Sequence, residues 1–410
     1  MHVLYFHQYF QTPKGIASTR SYDMAKALVK AGHNVKIICG SCVGGNTGID
    51  KPFINGYRQD FVENIHVLET DLKYSNHLGY FQRIKVFIKF IIFSMRVLFR
   101  EPSDIIFVTT PPLTVNLIGI FSSWFKNKPF ILEVRDLWPA APIAMGIIKN
   151  PIIILILRFF EWISYRSANK IIALSPGILK SIIARGIISD KVSMIPNTSN
   201  LNLFNHNIYF TRPENIDKND LVAIFAGAHG KANGLEIVLD VAHEIKKRGR
   251  KDIKFILIGE GKLKSKIIEK AKFSKLESII FLDAIPKIQL VSLISSCDIG
   301  LQILSNIPIF YYSTSPNKFF DYLAAGLPVL NNYPGWVADL IKKNQCGYVV
   351  RPDNPKCFAD ALIHAADNRE NLKQMGINSR NLAKKQFDIS VLEKKFVNII
   401  EKVVKDLSIN

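Results

Sequence analysis

The residue types best suited to bind a charged ligand lie between positions 313 and 330, where the sequence reads STSPNKFFDYLAAGLPVL. The Ser-Pro-Asn segment at 315–317 predicts the cap and first turn of a short helix, and Gly326 predicts its end. The free N–H donors and the positive dipole end at a helix start suit a phosphate. Lys318 adds a full positive charge, and Asp321, one turn later, can accept hydrogen bonds from paired hydroxyls. The pattern predicts a site for a phosphate and a diol, the outline of a nucleotide sugar.

A plainer interpretation of the same spacing is also open. Lys318 and Asp321 stand three residues apart, so they could pair with each other on an amphipathic helix. Such a pair is worth about 0.2–0.5 kcal/mol. The spacing alone does not decide between a ligand site and a surface ion pair, since short motifs also arise by chance.

The chain begins with a pattern typical of a doubly wound parallel sheet. A strand is predicted at 2–6, a helix at 19–31 and a second strand at 35–39. Neither a GxGxxG fingerprint nor a Walker motif is present, which disfavours dinucleotide or NTP binding in those modes.

Charged residues also follow the strand predicted at 130–134, in the sequence EVRDLWP. Open α/β sheets bind ligands at the carboxyl ends of their strands, so Arg135 and Asp136 are candidate binding residues. They could instead pair with each other without a catalytic role.

Composition describes a globular protein with a strong positive charge. The 410 residues are 48% hydrophobic and 21% charged, and 53 Lys and Arg against 34 acids give a net charge of +19. Length favours two or three domains, and the charge favours an anionic partner. Histidines and acids show no zinc-type spacing, so no metal site is predicted. The N-terminus reads as a strand without a signal peptide, and we expect a cytosolic protein.

Two apolar segments could contact a membrane. Residues 82–100 predict a helix on which Lys85, Lys89, Arg96 and Arg100 share one face, as in helices that lie on an anionic bilayer. A core helix with one solvated face fits equally well. Residues 151–160 read PIIILILRFF, which is too short to span a bilayer and predicts either a buried helix or a dip into the interface.

The run KFFDYLAAGLPVL resembles the donor-site segment of the GT-B retaining glycosyltransferases of family four. Two glutamates stand eight positions apart in that family. Asp321 matches the second, and Ser313 occupies the place of the first, which is a departure. The tetrapeptide DLWP at 136–139 resembles the same group, especially enzymes that add amino-deoxysugars such as N-acetyl-L-fucosamine in O-antigen and capsule assembly.

This resemblance implies an α/β chain of the GT-B type, with two doubly wound Rossmann-like domains facing a cleft. The acceptor-side domain would span 1–198, a linker 199–219, and the nucleotide-sugar domain 220–389. A last helix within 390–410 would cross back to the first domain.

The resemblance also implies roles for individual residues. Catalytic roles fall on Asp136, Lys318 and Asp321. Donor binding falls on Lys14, Gly15, Gly227, Gly230, Lys231, Ser313, Ser315, Asn317, Lys318 and Asp321. The acceptor side comprises Arg20, Arg135, Asp136 and Trp138. In the family, a lysine immediately before the second glycine of the loop at 227–234 contacts the diphosphate. That position is Asn233, so Lys231 is the candidate here.

The implied reaction moves a sugar, such as an N-acetylated deoxyhexosamine, from a nucleotide diphosphate donor, UDP-linked, to a lipid-linked oligosaccharide with retention. No cofactor is expected, and the partners would be donor, acceptor and the inner face of the cytoplasmic membrane, with no nucleic acid. Two alternatives remain open: an enzyme resembling UDP-sugar 2-epimerases, which would show paired carboxylates and histidines, and a non-catalytic nucleotide-sugar binder in a polysaccharide assembly complex.

Overall fold

The computed structural model describes residues 1–75, 78–205, 212–213 and 216–408. Contacts divide the chain into two compact units. Unit 1 comprises Met1–Pro196, Ser313–Ser315 and Ser390–Asn410, and unit 2 comprises Asn197–Tyr312 and Pro316–Ile389. The predicted linker at 199–219 includes residues 206–211 and 214–215, which lie outside the described residues.

Unit 1 is built on an eight-stranded sheet in the order β3-β4-β2-β1-β5-β6-β7-β8. All neighbouring strands are parallel except β3 and β4. The strands are β1 His2–Phe6, β2 Asn34–Cys42, β3 Tyr57–Val62, β4 Ile65–Tyr74, β5 Ile105–Thr109, β6 Phe130–Val134, β7 Lys170–Ala173 and β8 Val192–Met194. The helices are α1 Arg20–Lys30, α2 Tyr80–Arg100, α3 Asn116–Phe121, α4 Ala140–Ala144, α5 Pro151–Ser167 and α6 Pro176–Ala184.

Unit 2 is built on a six-stranded parallel sheet in the order β11-β10-β9-β12-β13-β14. Its strands are β9 Leu221–Ala226, β10 Ile253–Ile258, β11 Ile279–Leu282, β12 Ile299–Gln302, β13 Val329–Asn331 and β14 Gly347–Val349. Its helices are α7 Glu236–Lys247, α8 Lys264–Phe273, α9 Lys287–Ser295, α10 Pro308–Ser313, α11 Asn317–Ala325, α12 Trp336–Lys343, α13 Pro355–Asp367 and α14 Arg369–Leu382. The prediction of two doubly wound α/β domains is confirmed.

Both sheets are apolar because helices cover their two faces. In unit 1, one core joins the sheet to α2, α3 and α6. The other joins it to α1 and to the last helix, α15 Ile389–Ser408, which contributes Phe396 and Ile400. Phe396 meets Phe107 of β5 edge to face, with ring centroids 5.1 Å apart. The last helix therefore packs against the sheet of the first half of the chain.

Strand order sets where each unit can bind a ligand. In unit 1 the chain places β2 on one side of β1 and β5 on the other, and in unit 2 it places β10 and β12 on either side of β9. The crossover helices that leave such a point cover opposite faces of the sheet, which opens a crevice at the carboxyl ends of the strands. The loops after β1, β5 and β9 are therefore the favoured ligand positions.

One of the two predictions for residues 151–160 was a buried helix, and the structure of α5 shows that this prediction is wrong. Its buried residues are Glu161, Ser164 and Tyr165, and most of its apolar side chains are exposed. Within the described ranges, no helix has both the length and the apolar character needed to cross a bilayer.

Candidate functional site

The predicted helix after Ser315 is present as α11 and is placed by its apolar face. Phe319, Phe320 and Leu323 are buried in unit 2, and Gly326 ends the helix in a left-handed conformation with φ 72°. Pro316, rather than Ser315, occupies the cap position, and no side chain caps the first turn. Asn317, the first helical residue, is exposed.

Lys318 lies against the carboxyl end of β9. Its ammonium stands 4.5 Å from the centroid of the Phe225 ring, and a Cβ on Gly227 would lie 2.9 Å from its Cε. Burial lowers the pKa of Lys318 to about 8, and the nearby Asp321 carboxylate partly opposes this. Among the described residues, no carboxylate oxygen lies within 4 Å of this ammonium, so it is a desolvated cation next to the helix start.

Asp321 does not form the ion pair with Lys318 that the plainer interpretation offers. Its Oδ2 pairs instead with the ammonium of Lys287, the first residue of α9. Both side chains are mostly buried, at 12% and 16% exposure. The sequence analysis missed Lys287. The available signal was its position at a helix start that follows the loop after β11, on the same sheet edge as the other candidates.

The glycine loop after β9 is held by close backbone contacts. The Gly227 N–H donates to the Ile258 carbonyl at 3.0 Å, and the His229 N–H donates to the Glu260 carbonyl at 2.8 Å. Gly230 has open space where a Cβ would stand. Lys231 is exposed, and its carbonyl accepts a hydrogen bond from the Ser305 hydroxyl. A Cβ on Gly227 would therefore crowd Lys318, and one on Gly234 would crowd Ser305, whereas Gly230 has room for a side chain.

His229 lies within this loop but is not suited to act as a base. Its side chain is buried, and burial together with Lys264 lowers its pKa to about 4. Neither ring nitrogen has a hydrogen-bond partner among the described residues. His229 is therefore neutral at physiological pH.

Arg20 belongs to the interior of unit 1 rather than to an acceptor surface. Its guanidinium donates to Glu133 Oε1 at 2.9 Å and to the carbonyls of Pro196 and Ile195 at 2.7 and 3.0 Å. Arg20 and Glu133 are 2% and 0% exposed at their side chains. Because these contacts use its donors and bury it, the structure corrects the acceptor-side assignment of Arg20 to a structural one.

Arg135 pairs with a histidine rather than with Asp136. Its guanidinium lies 3.2 Å from Nε2 of His7, which directly follows β1. Burial, with Arg135 nearby, lowers the pKa of His7 well below its usual value. Arginine can only donate, so Nε2 accepts and the proton resides on Nδ1. Nδ1 has no hydrogen-bond partner among the described residues.

His7 was missed by the sequence analysis, although it stands at the end of the first buried strand. Asp136 is exposed beyond the same edge, and Trp138 is partly exposed in the turn before α4. The ends of β1 and β6 thus bring His7, Arg135 and Asp136 to one edge of unit 1.

The remaining predicted residues occupy loops and helix ends. Lys14 is exposed, whereas Gly15 is buried, and a Cβ there would lie 2.4 Å from Gln11 Oε1. Ser313 is buried at the end of α10 and belongs with Ser315 to unit 1. No group of three or more His, Cys, Asp or Glu among the described residues is arranged to hold a metal ion.

Two family models match the chain, one to each half. Residues 17–203 match "Glycosyltransferase Family 4", and residues 210–382 match "Glycosyl transferases group 1". A comparison with curated protein sequences finds no significant match.

Solved structures share the fold over nearly the full chain. Sucrose-phosphate synthase from Thermosynechococcus elongatus aligns with a TM-score of 0.76 and 13% identity, covering 99% of each chain. HepE from Anabaena in complex with UDP-glucose aligns at 0.70 and 16%, covering 98% of this chain and 100% of that one. WaaG, a glycosyltransferase involved in lipopolysaccharide biosynthesis, aligns at 0.67 and 14%, covering 97% and 99%. At these identities the likeness establishes the fold, which is GT-B.

Proposed function

Family 4 and group 1 glycosyltransferase models match the two halves of the chain, and its fold is GT-B. On this basis we propose that it is a family 4 glycosyltransferase that transfers a sugar from a UDP-linked donor to a lipid-linked oligosaccharide, with retention at the anomeric carbon. The sugar is proposed to be an N-acetylated deoxyhexosamine, on the resemblance of the segment DLWP to enzymes of O-antigen and capsule assembly. The structural neighbours include a protein crystallised with UDP-glucose and another involved in lipopolysaccharide biosynthesis, which supports this choice of donor and process.

The observation that carries the proposal is the desolvated Lys318 ammonium at the start of α11. It stands over the Phe225 ring, with no carboxylate within 4 Å among the described residues. Lys318 is partly exposed, yet it loses much of its hydration against this ring without gaining a carboxylate partner, which costs free energy. A diphosphate would supply the opposite charge, and the first-turn N–H groups of α11 would donate to its oxygens.

In the proposed reaction, these groups stabilise the leaving diphosphate. The bond between the anomeric carbon and the diphosphate oxygen breaks, and negative charge develops on that oxygen. Lys318, the first turn of α11 and Lys231 would stabilise this charge, which is often the largest catalytic contribution. An acceptor hydroxyl attacks the same face, and a phosphate oxygen of the leaving group takes its proton. No protein base is needed, and no cofactor is proposed.

The acceptor is proposed to meet residues of unit 1. Arg135 and Asp136 lie at the carboxyl edge of the sheet, and Trp138 supplies a partly exposed aromatic surface in the next turn. Lys14 and Gly15 in the loop after β1 are proposed to approach the donor diphosphate, as the resembled family implies. Ser313 replaces the first family acid, and in this proposal its hydroxyl contacts the donor sugar without charge.

The proposal can be tested by a screen of nucleotide diphosphate sugars. Thermal stabilisation should be largest for UDP-linked donors, and mass spectrometry should detect sugar on a lipid-linked saccharide acceptor. Stabilisation by other nucleotides only would reject the donor assignment. Donor consumption to free or epimerised sugar, with no product on the acceptor, would favour the epimerase alternative.

A further inference from the structure

Helix α5 presents its polar residues to unit 1 and its apolar residues to solvent. The residues that it buries are Glu161, Ser164 and Tyr165. Its large apolar side chains are 41–69% exposed: Ile152, Ile153, Leu155, Ile156, Phe159 and Trp162. A helix on the surface of a water-soluble protein normally has the opposite arrangement. The outer face of α5 is therefore suited to an apolar environment.

Polar contacts hold α5 in this orientation. Glu161 accepts a hydrogen bond from the Tyr165 hydroxyl at 3.2 Å, and its other oxygen lies 3.2 Å from the Arg185 guanidinium. Rotating α5 to bury its apolar side chains would expose Tyr165 and break these contacts. The contacts of Glu161 thus keep Leu155 and Phe159 on the outer side of unit 1.

Neighbouring elements extend this apolar surface. Helix α3 packs against both α5 and α2, and the π-helical turn that follows it exposes Trp124 and Phe125 at 54% and 65%. On α2, the exposed residues include Ile88, Ile92 and Phe99. We call the exposed apolar residues of α2, α5 and this turn the α2–α5 face.

Positive charge accompanies the α2–α5 face, and negative charge is scarce around it. The exposed basic residues on its helices and adjoining loop are Lys85, Lys89, Arg96, Arg100, Lys149, Arg158 and Arg166. The sequence contains no acid in residues 80–100, 113–132 or 137–160. A second copy of the chain would bring two cationic surfaces together, which costs free energy. An anionic bilayer offers both a complementary charge and an apolar interior.

We propose that α5 inserts its outer face into an anionic lipid surface, while the basic residues of α2 contact the headgroups. Trp162 would lie at the level of the headgroups, as tryptophan prefers, and Arg158 would extend its guanidinium toward water. The biological reason for this membrane contact rests on the proposed function, because a lipid-linked acceptor is confined to the bilayer. Vesicle binding itself requires neither donor nor acceptor.

Flotation of the full chain with vesicles tests the proposal. The chain should float with vesicles of phosphatidylcholine and phosphatidylglycerol, and part of this binding should persist at high salt because apolar insertion is not screened. The triple variant Leu155→Ser, Ile156→Ser, Phe159→Ser should bind roughly tenfold or more weakly. Its thermal unfolding should match that of the parent, because the three side chains are exposed.

A matched control replaces three exposed apolar residues elsewhere, by Ile188→Ser, Phe273→Ser and Ile377→Ser. This control should float like the parent. Should the triple variant of α5 unfold, the single substitution Leu155→Asp provides the same comparison with less perturbation. Brominated lipids should quench the tryptophan fluorescence of the parent, and the Trp162→Phe variant should lose the largest part of that quenching.

Three outcomes would overturn the inference. One is a parent that ignores anionic vesicles, and another is a triple variant that binds them as the parent does. The third is a parent that light scattering shows to be a dimer, with vesicle binding absent and the dimer dissociated by the triple variant, since the face would then join two copies. A parent that binds vesicles but transfers no sugar would contradict the proposed function alone.

Discussion

A Cβ on Gly227 would lie only 2.9 Å from the Cε of Lys318. A contact this short forces either the lysine or the loop to move, so glycine at 227 permits the lysine to lie along the carboxyl end of β9. The two residues lie 91 positions apart in the sequence. The relationship links the glycine loop after β9 to the start of α11.

Gly227→Ala should therefore weaken donor binding by displacing Lys318. Gly230→Ala is the matched control, because nothing lies within 4 Å of a Cβ at that position. Calorimetry with UDP should show a loss of roughly tenfold or more for the first variant and little change for the second. Equal affinities in two folded variants would contradict the role assigned to Gly227.

Asp321→Ala should abolish turnover and weaken donor binding, because a carboxylate that accepts bonds from the donor's hydroxyls is lost. Charge-assisted hydrogen bonds contribute about 1.5–3 kcal/mol each, roughly 10- to 150-fold in affinity. The control is Lys287→Ala, which removes the same ion pair but keeps the carboxylate. If both variants lose affinity equally, the ion pair rather than the diol contact explains the effect.

Lys318→Ala should lower the turnover rate far more than Lys231→Ala, since Lys318 is desolvated at the helix start and Lys231 is exposed. Single-turnover measurements with saturating donor provide the comparison. Small and equal losses would indicate that both lysines are ordinary surface residues.

Donor affinity should also depend on pH through Lys318. Its pKa is lowered to about 8 by burial, so the free protein loses this positive charge as pH rises through that value. UDP binding should weaken as pH rises above about 8, because only the cation attracts the diphosphate. In the Lys318→Met variant, calorimetry from pH 7 to 9.5 should show this dependence removed. If the Lys318→Met variant keeps the pH dependence of the parent, another titrating group must cause it.

We expect Arg20 to contribute to stability and Arg135 to contribute to turnover. Arg20→Met leaves Glu133 buried without its partner, which should cost about 3–5 kcal/mol of unfolding free energy. Arg135→Met removes no carboxylate ion pair among the described residues, and we expect a small stability change with a large loss of turnover. Denaturant unfolding and rate measurements on both variants test this contrast, and the reverse pattern would reject it.

Replacing Lys85, Lys89, Arg96 and Arg100 with Gln should reduce binding to anionic vesicles while sparing UDP binding. Each basic residue near such a surface contributes about 1 kcal/mol. Salt screens this attraction over roughly 8 Å at physiological ionic strength. A control with the same change of charge substitutes Gln for four exposed lysines of unit 2, Lys247, Lys251, Lys266 and Lys272. Equal flotation of the two variants would show that total charge, not the face of α2, determines binding.

The sequence by itself determined the doubly wound architecture and the α11 segment. Continuous apolar runs such as Ile105–Thr109 and Phe130–Val134 can form only buried parallel strands when helices separate them, and both match the observed strands. Likewise, Gly326 and the apolar spacing of Phe319, Phe320 and Leu323 predicted the end and the buried face of α11. These features depend on local geometry and periodicity.

Only the tertiary structure decided which charges meet. Lys287 joins Asp321 because α9 packs beside α11, and Arg20 joins Glu133 across the core of unit 1 over a long sequence separation. The sequence also could not predict which way the apolar side chains of α5 face, since its apolar run suits a buried helix as well as an interfacial one. Its orientation follows from Glu161, which accepts a hydrogen bond from Tyr165 and meets Arg185 only after folding. Periodicity reports which residues share a face, whereas packing decides what that face contacts.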